Sequence, residues 1–67
     1  MYHNIKVKVG CKILMQDVFT NEKDTVEFIA GQIIKGRIDK VSGNDILTLQ
    51  DGLGGIINFN FFEIEKV

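Results

Sequence analysis

Ile5-Lys6-Val7-Lys8-Val9-Gly10-Cys11-Lys12-Ile13-Leu14-Met15 is the stretch that decides the fold. Its odd positions are apolar without a break: Ile5, Val7, Val9, Cys11, Ile13 and Met15. Lys6, Lys8, Gly10, Lys12, Leu14 and Gln16 fill the even positions. Successive side chains of an extended chain point to opposite faces, so period two reads as a long strand with one packed face and one mostly wet face. Gly10 offers no side chain to the wet face and marks where so long a strand bends sharply or carries a bulge.

Composition carries that reading to the whole chain. Ten isoleucines and six valines stand against no proline and no tryptophan, and β-branched side chains, stiff at χ1, suit a pleated, half-buried surface. The predicted class is all-β, in one domain over residues 1–67. A chain of this length buries only about 60% of the surface its unfolded form exposes, so it needs a dense core or an associate. No apolar run approaches the roughly 20 residues that cross a bilayer, and Met1-Tyr2-His3-Asn4 does not read as the start of a signal peptide. Cys11 is the single cysteine, which excludes an internal disulfide and fits a reducing cytoplasm. A net charge of −1 weighs against a duplex-binding protein, which carries a clustered excess of Lys and Arg.

Beyond Met15 the alternation fails. Residues 17–24 read as a polar loop that carries Val18 and Phe19, and Thr25–Ala30 as a short strand with Val26, Phe28 and Ala30 on one side. After Gly31, residues 32–41 resume an extended pattern, with Ile34, Gly36 and Ile38 on one face and Lys35, Arg37 and Asp39 on the other. Ser42-Gly43-Asn44-Asp45 is a hairpin turn, Ile46–Gln50 the return strand, and Asp51-Gly52 a second tight turn, followed by Gly54-Gly55. Ile56–Phe59 pairs back, Asn60-Phe61-Phe62 holds a 3₁₀ turn, and Glu63–Val67 closes. About five strands with a long first loop and a 3₁₀ turn before the last strand make the plan of a small SH3-like barrel.

The stretches Phe28–Ile38, Asp51-Gly52-Leu53-Gly54-Gly55 and Phe61-Phe62-Glu63-Ile64 resemble a pattern in small uncharacterised proteins of phages and prophages of Gram-positive bacteria. In those proteins a Phe-x-x-Gly-x-x-Tyr turn enters the second barrel strand, an Asp-x-x-Gly turn joins later strands, and a Phe-Glu-Ile-like end closes the barrel. Ile34 stands where the family more often has an aromatic, and Gly55 loosens the second turn. The resemblance implies a phage accessory protein with an SH3-like fold, working in the host cytoplasm, and it brings no catalytic residue.

The residues themselves argue against an enzyme. Acid-base and nucleophilic catalysis need groups held in reach of each other, whereas His3, the only histidine, lies near the start of the chain and Cys11 reads as a small core hydrophobe. No Cys or His cluster and no dense Asp-x-Asp spacing calls for a metal, and no cofactor is implied. Asp51 among Gly52, Gly54 and Gly55 reads either as a hairpin turn or as a phosphate cradle, and no helix follows to complete the cradle.

Three binding readings remain. In the leading one, a non-enzymatic protein binds and modulates or inhibits a host or defence-system protein through Phe19, Asn58, Asn60 and Phe61. Two amides beside adjacent aromatics cannot all face inward, and an exposed Phe rimmed by Asn has the composition of a contact surface. Phe19 reads more readily as local packing of its loop than as a contact, and the Asn58, Asn60, Phe61 and Phe62 group reads equally as a subunit interface. In the second, a homo-oligomer sequesters a nucleotide or similar small ligand between Lys35, Arg37, Asp51 and Gly54. In the third, Lys6, Lys8 and Lys12 form a nucleic-acid face on the first strand, against the plainer reading of a solvated, edge-protecting stripe.

Overall fold

The computed structural model describes residues 1–65. The chain is all-β, a single antiparallel sheet of seven strands. These are β1 (His3–Val7), β2 (Cys11–Asp17), β3 (Lys23–Phe28), β4 (Ile33–Val41), β5 (Asn44–Leu49), β6 (Leu53–Ile57) and β7 (Phe62–Glu65), with a 3₁₀ turn at Phe59–Phe61. Their order across the sheet is β3-β2-β6-β5-β4-β1-β7. The part of the closing strand expected at 66–67 lies outside the described residues.

Seven strands replace the expected five because the segment after the first loop pairs as a full strand, β3, and the long first strand is two. Its alternation holds on both sides of the break, since Ile5, Val7, Ile13 and Met15 are all buried. Between them the chain bends at Lys8–Gly10, where Lys8 N and Val9 N both donate to Phe61 O, at 2.7 and 3.3 Å. Val9, expected on the packed face, is turned out and half exposed. The bend sends β1 to pair with β4 and β7, while β2 pairs with β3 and β6. The expected loop over 17–24 is shortened at both ends, where Asp17 belongs to β2 and Lys23 and Asp24 to β3. Only residues 18–22 join β2 to β3, because the register from Gln16 opposite Lys23 to Cys11 opposite Phe28 takes up the rest.

The later turns fall where the sequence puts them. Ser42 and Gly43, at φ 51° and 81°, join Val41 to its partner Asn44 as a two-residue connection with both central residues left-handed, the geometry whose twist suits a hairpin. Gly55 is a correction. It lies inside β6 and loosens no turn: a Cβ there would stand 2.7 Å from Leu14 O and 3.2 Å from Met15 Cγ. Glycine is required because the β2 backbone crosses at that point.

Ile5, Val7, Ile13, Met15, Phe28, Leu47, Ile57 and Phe62 make the buried core. Phe28 ends β3 and Phe62 begins β7, the strands at opposite edges of the sheet. Their rings meet edge to face, with centroids 5.4 Å apart and an interplanar angle of 82°, an arrangement favoured by the ring quadrupoles. The sheet thus curls until its edges touch through side chains, without a ladder of hydrogen bonds to close it. Residues paired across strands share a face, so Lys35, Arg37 and Asp39 point outward and Ile34, Gly36 and Ile38 inward, as their alternation predicts.

Candidate functional site

The outward face of β2, β6 and β5 carries more apolar surface than solvent contact alone requires. Ile46 of β5 is paired with Ile56 of β6, and Gln16 of β2 with Gly54. Side chains alternate, so Leu14 shares the face of Gln16 and Ile56 that of Gly54. Leu14 and Ile56 are each 61% exposed, the exposure of residues available for contact rather than of core.

Pairing between β2 and β6 covers only Gln16 with Gly54 and Asp17 with Leu53. Beyond these pairs the ladder ends, with Gly55 still close beneath Leu14 O, and beside it lies an open groove of about 420 Å³ lined by Cys11, Lys12, Ile13, Leu14, Ile56, Asn58 and Phe61. Leu14 and Ile56 also line a smaller cleft with Gln16, Lys23 and Gly54. Gln16 and Gly54 in turn line a third depression with Val18, Ile46 and Thr48. Each depression shares lining residues with the next, so the three lie in series along β2 and are together called the trough.

Of the four residues expected to bind a partner, Asn58 and Phe61 line the groove together. Asn58 also serves its own turn, since its Oδ1 accepts from Asn60 N at 3.0 Å. It thereby caps the 3₁₀ turn as a short side-chain acceptor does at a helix start. Asn60 is exposed on that turn. Phe19 is elsewhere. Six residue steps of β2 separate Cys11 from Asp17, about 20 Å of extended chain, and Phe19 follows at that far end. Asp17 Oδ1 accepts from Phe19 N and Thr20 N at 2.7 and 3.2 Å, and the Phe19 ring lies against Gly52 while staying 83% exposed.

The small-ligand set is divided. Lys35 lines a separate depression with Tyr2, His3, Asn4 and Glu65. Arg37 is engaged: its Nε lies 2.7 Å from Asp39 Oδ2, and its guanidinium carbon stands 5.8 Å from the centroid of the Tyr2 ring. Asp51 Oδ1 accepts from Leu53 N at 3.2 Å, a turn bond, and Gly54 belongs to the trough. The lysine set is divided too, because Lys6 is on β1, Lys8 in the bend and Lys12 on β2. Acidic residues face two of them, Glu63 opposite Lys6 and Glu27 opposite Lys12, so the stripe is interrupted by opposite charge.

Leu14 and Ile56 are the site residues that sequence reasoning missed. A signal existed for both: Leu14 is the one large apolar residue on the wet side of the first alternation, and the doublet Ile56-Ile57 forces one isoleucine out of a half-buried strand. Cys11 borders the groove, where desolvation pushes its thiol above the ordinary value. Alkylation by iodoacetamide at neutral pH is therefore expected to run slower than for a cysteine in an unfolded peptide and to reach the peptide rate in urea; equal rates in the folded chain would contradict the placement.

Among the described residues no three His, Cys, Asp or Glu side chains gather where they would hold a metal ion, and no helix is long and apolar enough to cross a membrane. Comparison with known proteins returns no matching family model, no matching curated protein and no matching solved structure. The likeness to phage proteins therefore rests on the residues of the three stretches alone.

Proposed function

We propose that this chain is a non-enzymatic binding module of SH3-like architecture that holds an apolar segment of a partner protein in the trough along β2. The observation that carries the reading is the pair Leu14 and Ile56, more than half exposed on neighbouring strands where the ladder between them has ended, beside Asn58 and Phe61. An apolar floor with an amide and an aromatic at its rim is the make-up of a contact core, and burying such side chains against a partner contributes about 1.5–3 kcal/mol each. The architectural part is supported by the order of elements: an opening strand, a hairpin in place of the long first loop, a three-stranded meander, a 3₁₀ turn and a closing strand beside the first. Contact of the edge strands through Phe28 and Phe62 fits the same plan. The resemblance to phage proteins supplies the kind of partner, a host or defence-system protein.

Affinity capture from a lysate of the host, with tagged wild-type chain and a Leu14→Asp/Ile56→Asp variant, tests this reading. Both side chains are outside the core, so the variant is expected to keep its circular dichroism and melting behaviour. It is expected to lose at least tenfold of the captured partner, since a buried carboxylate without a counter-charge costs well over 1.4 kcal/mol. Undiminished capture by the folded variant would remove the trough as the binding surface.

A further inference from the structure

β3 lies at one end of the strand order and pairs only with β2. Two hydrogen bonds reveal which of its backbone groups look outward. Asp17 N donates to Glu22 O at 2.8 Å, making these two a bonded pair, and bonded pairs alternate along an antiparallel ladder. On that phase β2 bonds to Asp24, Val26 and Phe28. Thr25 N agrees: it donates to Oδ1 of Asp24 at 2.9 Å instead of to β2. The N–H and C=O groups of Lys23, Thr25 and Glu27 therefore point away from the sheet, and among the described residues no strand meets them.

The side chains of the same three residues share the outward face, opposite Gln16, Leu14 and Lys12. Suppose two β3 strands run antiparallel, centred on Thr25. Each Thr25 then faces its copy, each Lys23 faces the other chain's Glu27, and the bonded backbone groups are the three that look outward. Threonine pairs and opposite charges directly across are favourable combinations, and like charges are not. Other registers do worse: centring on Lys23 or Glu27 opposes like charges, centring on Asp24 opposes two carboxylates, and centring on Val26 leaves Lys23 without Glu27. At the other edge, β7 paired with itself about Ile64 sets Glu63 against Glu65. Within the chain the ion pairs among described residues are Arg37 with Asp39 and Lys40 with Asp45; Lys23 faces the neutral Gln16, and Glu27, opposite Lys12, makes no close ion pair with it.

We propose that a second copy of this chain docks on β3 in the Thr25-centred register and merges two sheets into one. Asp24 gives up the Thr25 N–H as the copy arrives. The contact lies on the opposite side of β2 from β6, so it stands or falls separately from the trough reading.

Sedimentation velocity on the full chain at rising concentration is expected to show a reversible monomer–dimer equilibrium. Lys23→Glu and Glu27→Lys each set like charges across both symmetry-related contacts and are expected to weaken association about tenfold. The double variant K23E/E27K restores both attractions and is expected to recover the wild-type equilibrium. Thr25→Pro removes an outward N–H without touching a bond to β2, a change edge strands tolerate, and is expected to leave a folded monomer by circular dichroism. A wild-type chain that stays monomeric throughout, a dimer indifferent to either single reversal, or a double variant that does not recover would each overturn the proposal.

Discussion

Phe62→Ala is expected to leave most of the chain unfolded at room temperature. Phe62 is fully buried and opens β7, and its ring is half of the only aromatic contact between the two sheet edges among the described residues. Truncating a buried Phe costs about 3–5 kcal/mol in transfer and cavity terms. A domain of this size, whose single cysteine allows no internal disulfide, rarely has more than about 3–5 kcal/mol in total. Urea denaturation followed by circular dichroism checks this, with Phe28→Ala as the partner variant. The two losses are expected to sum to more than the double variant shows, because each single change already removes the shared contact. A cost for Phe62→Ala below about 1 kcal/mol would mean that the edges do not meet through these rings.

Gly55→Ala is expected to have the second largest effect, a loss of about 2–3 kcal/mol from overpacking. The added methyl would stand 2.7 Å from Leu14 O, and a backbone carbonyl has no rotamer by which to move aside. β2 and β6 must separate at the point where the trough begins, so the same variant is expected to lose partner capture along with stability. Gly54→Ala is the control. There the nearest atoms, Leu47 O and Thr48 Oγ1, are both at 3.6 Å, an ordinary contact, and the change in stability is expected to stay within about 0.5 kcal/mol. Equal melting temperatures for the two variants would contradict the close crossing of β2 and β6.

Phe62 and Gly55 also mark the boundary of what is legible in the sequence. The faces of β1, β2 and β4 follow from alternation, because a half-buried strand has one physical solution to which residues turn inward. The Ser42-Gly43 turn follows from residue chemistry, and so does a 3₁₀ turn before the last strand, which stands at Phe59–Phe61, one residue earlier than the expected Asn60–Phe62. What alternation does not reveal is which strands become neighbours. Ile5 through Met15 keep one rhythm across a sharp bend, so two strands read as one, and the packed face continues although Val9 leaves it. Gly55 reads as turn chemistry until the crossing strand is seen, because a glycine required by a close backbone approach has the same letter as one required by a turn. The site is half visible for the same reason: Asn58 and Phe61 stand out by composition, whereas Leu14 and Ile56 become a pair only when β2 lies beside β6. Phe19 groups with Asn58 and Phe61 by residue type, and some 20 Å of strand keeps it from their end of the trough.

Amide chemical shifts of the isotopically labelled chain, recorded with and without the protein it captures, report which face the partner covers. The expected perturbations fall on Cys11 to Leu14, Ile56, Asn58 and Phe61, and fade along β4. Perturbations confined to Tyr2, His3, Lys35 and Arg37, with the trough silent, would contradict the account and place binding at the other depression.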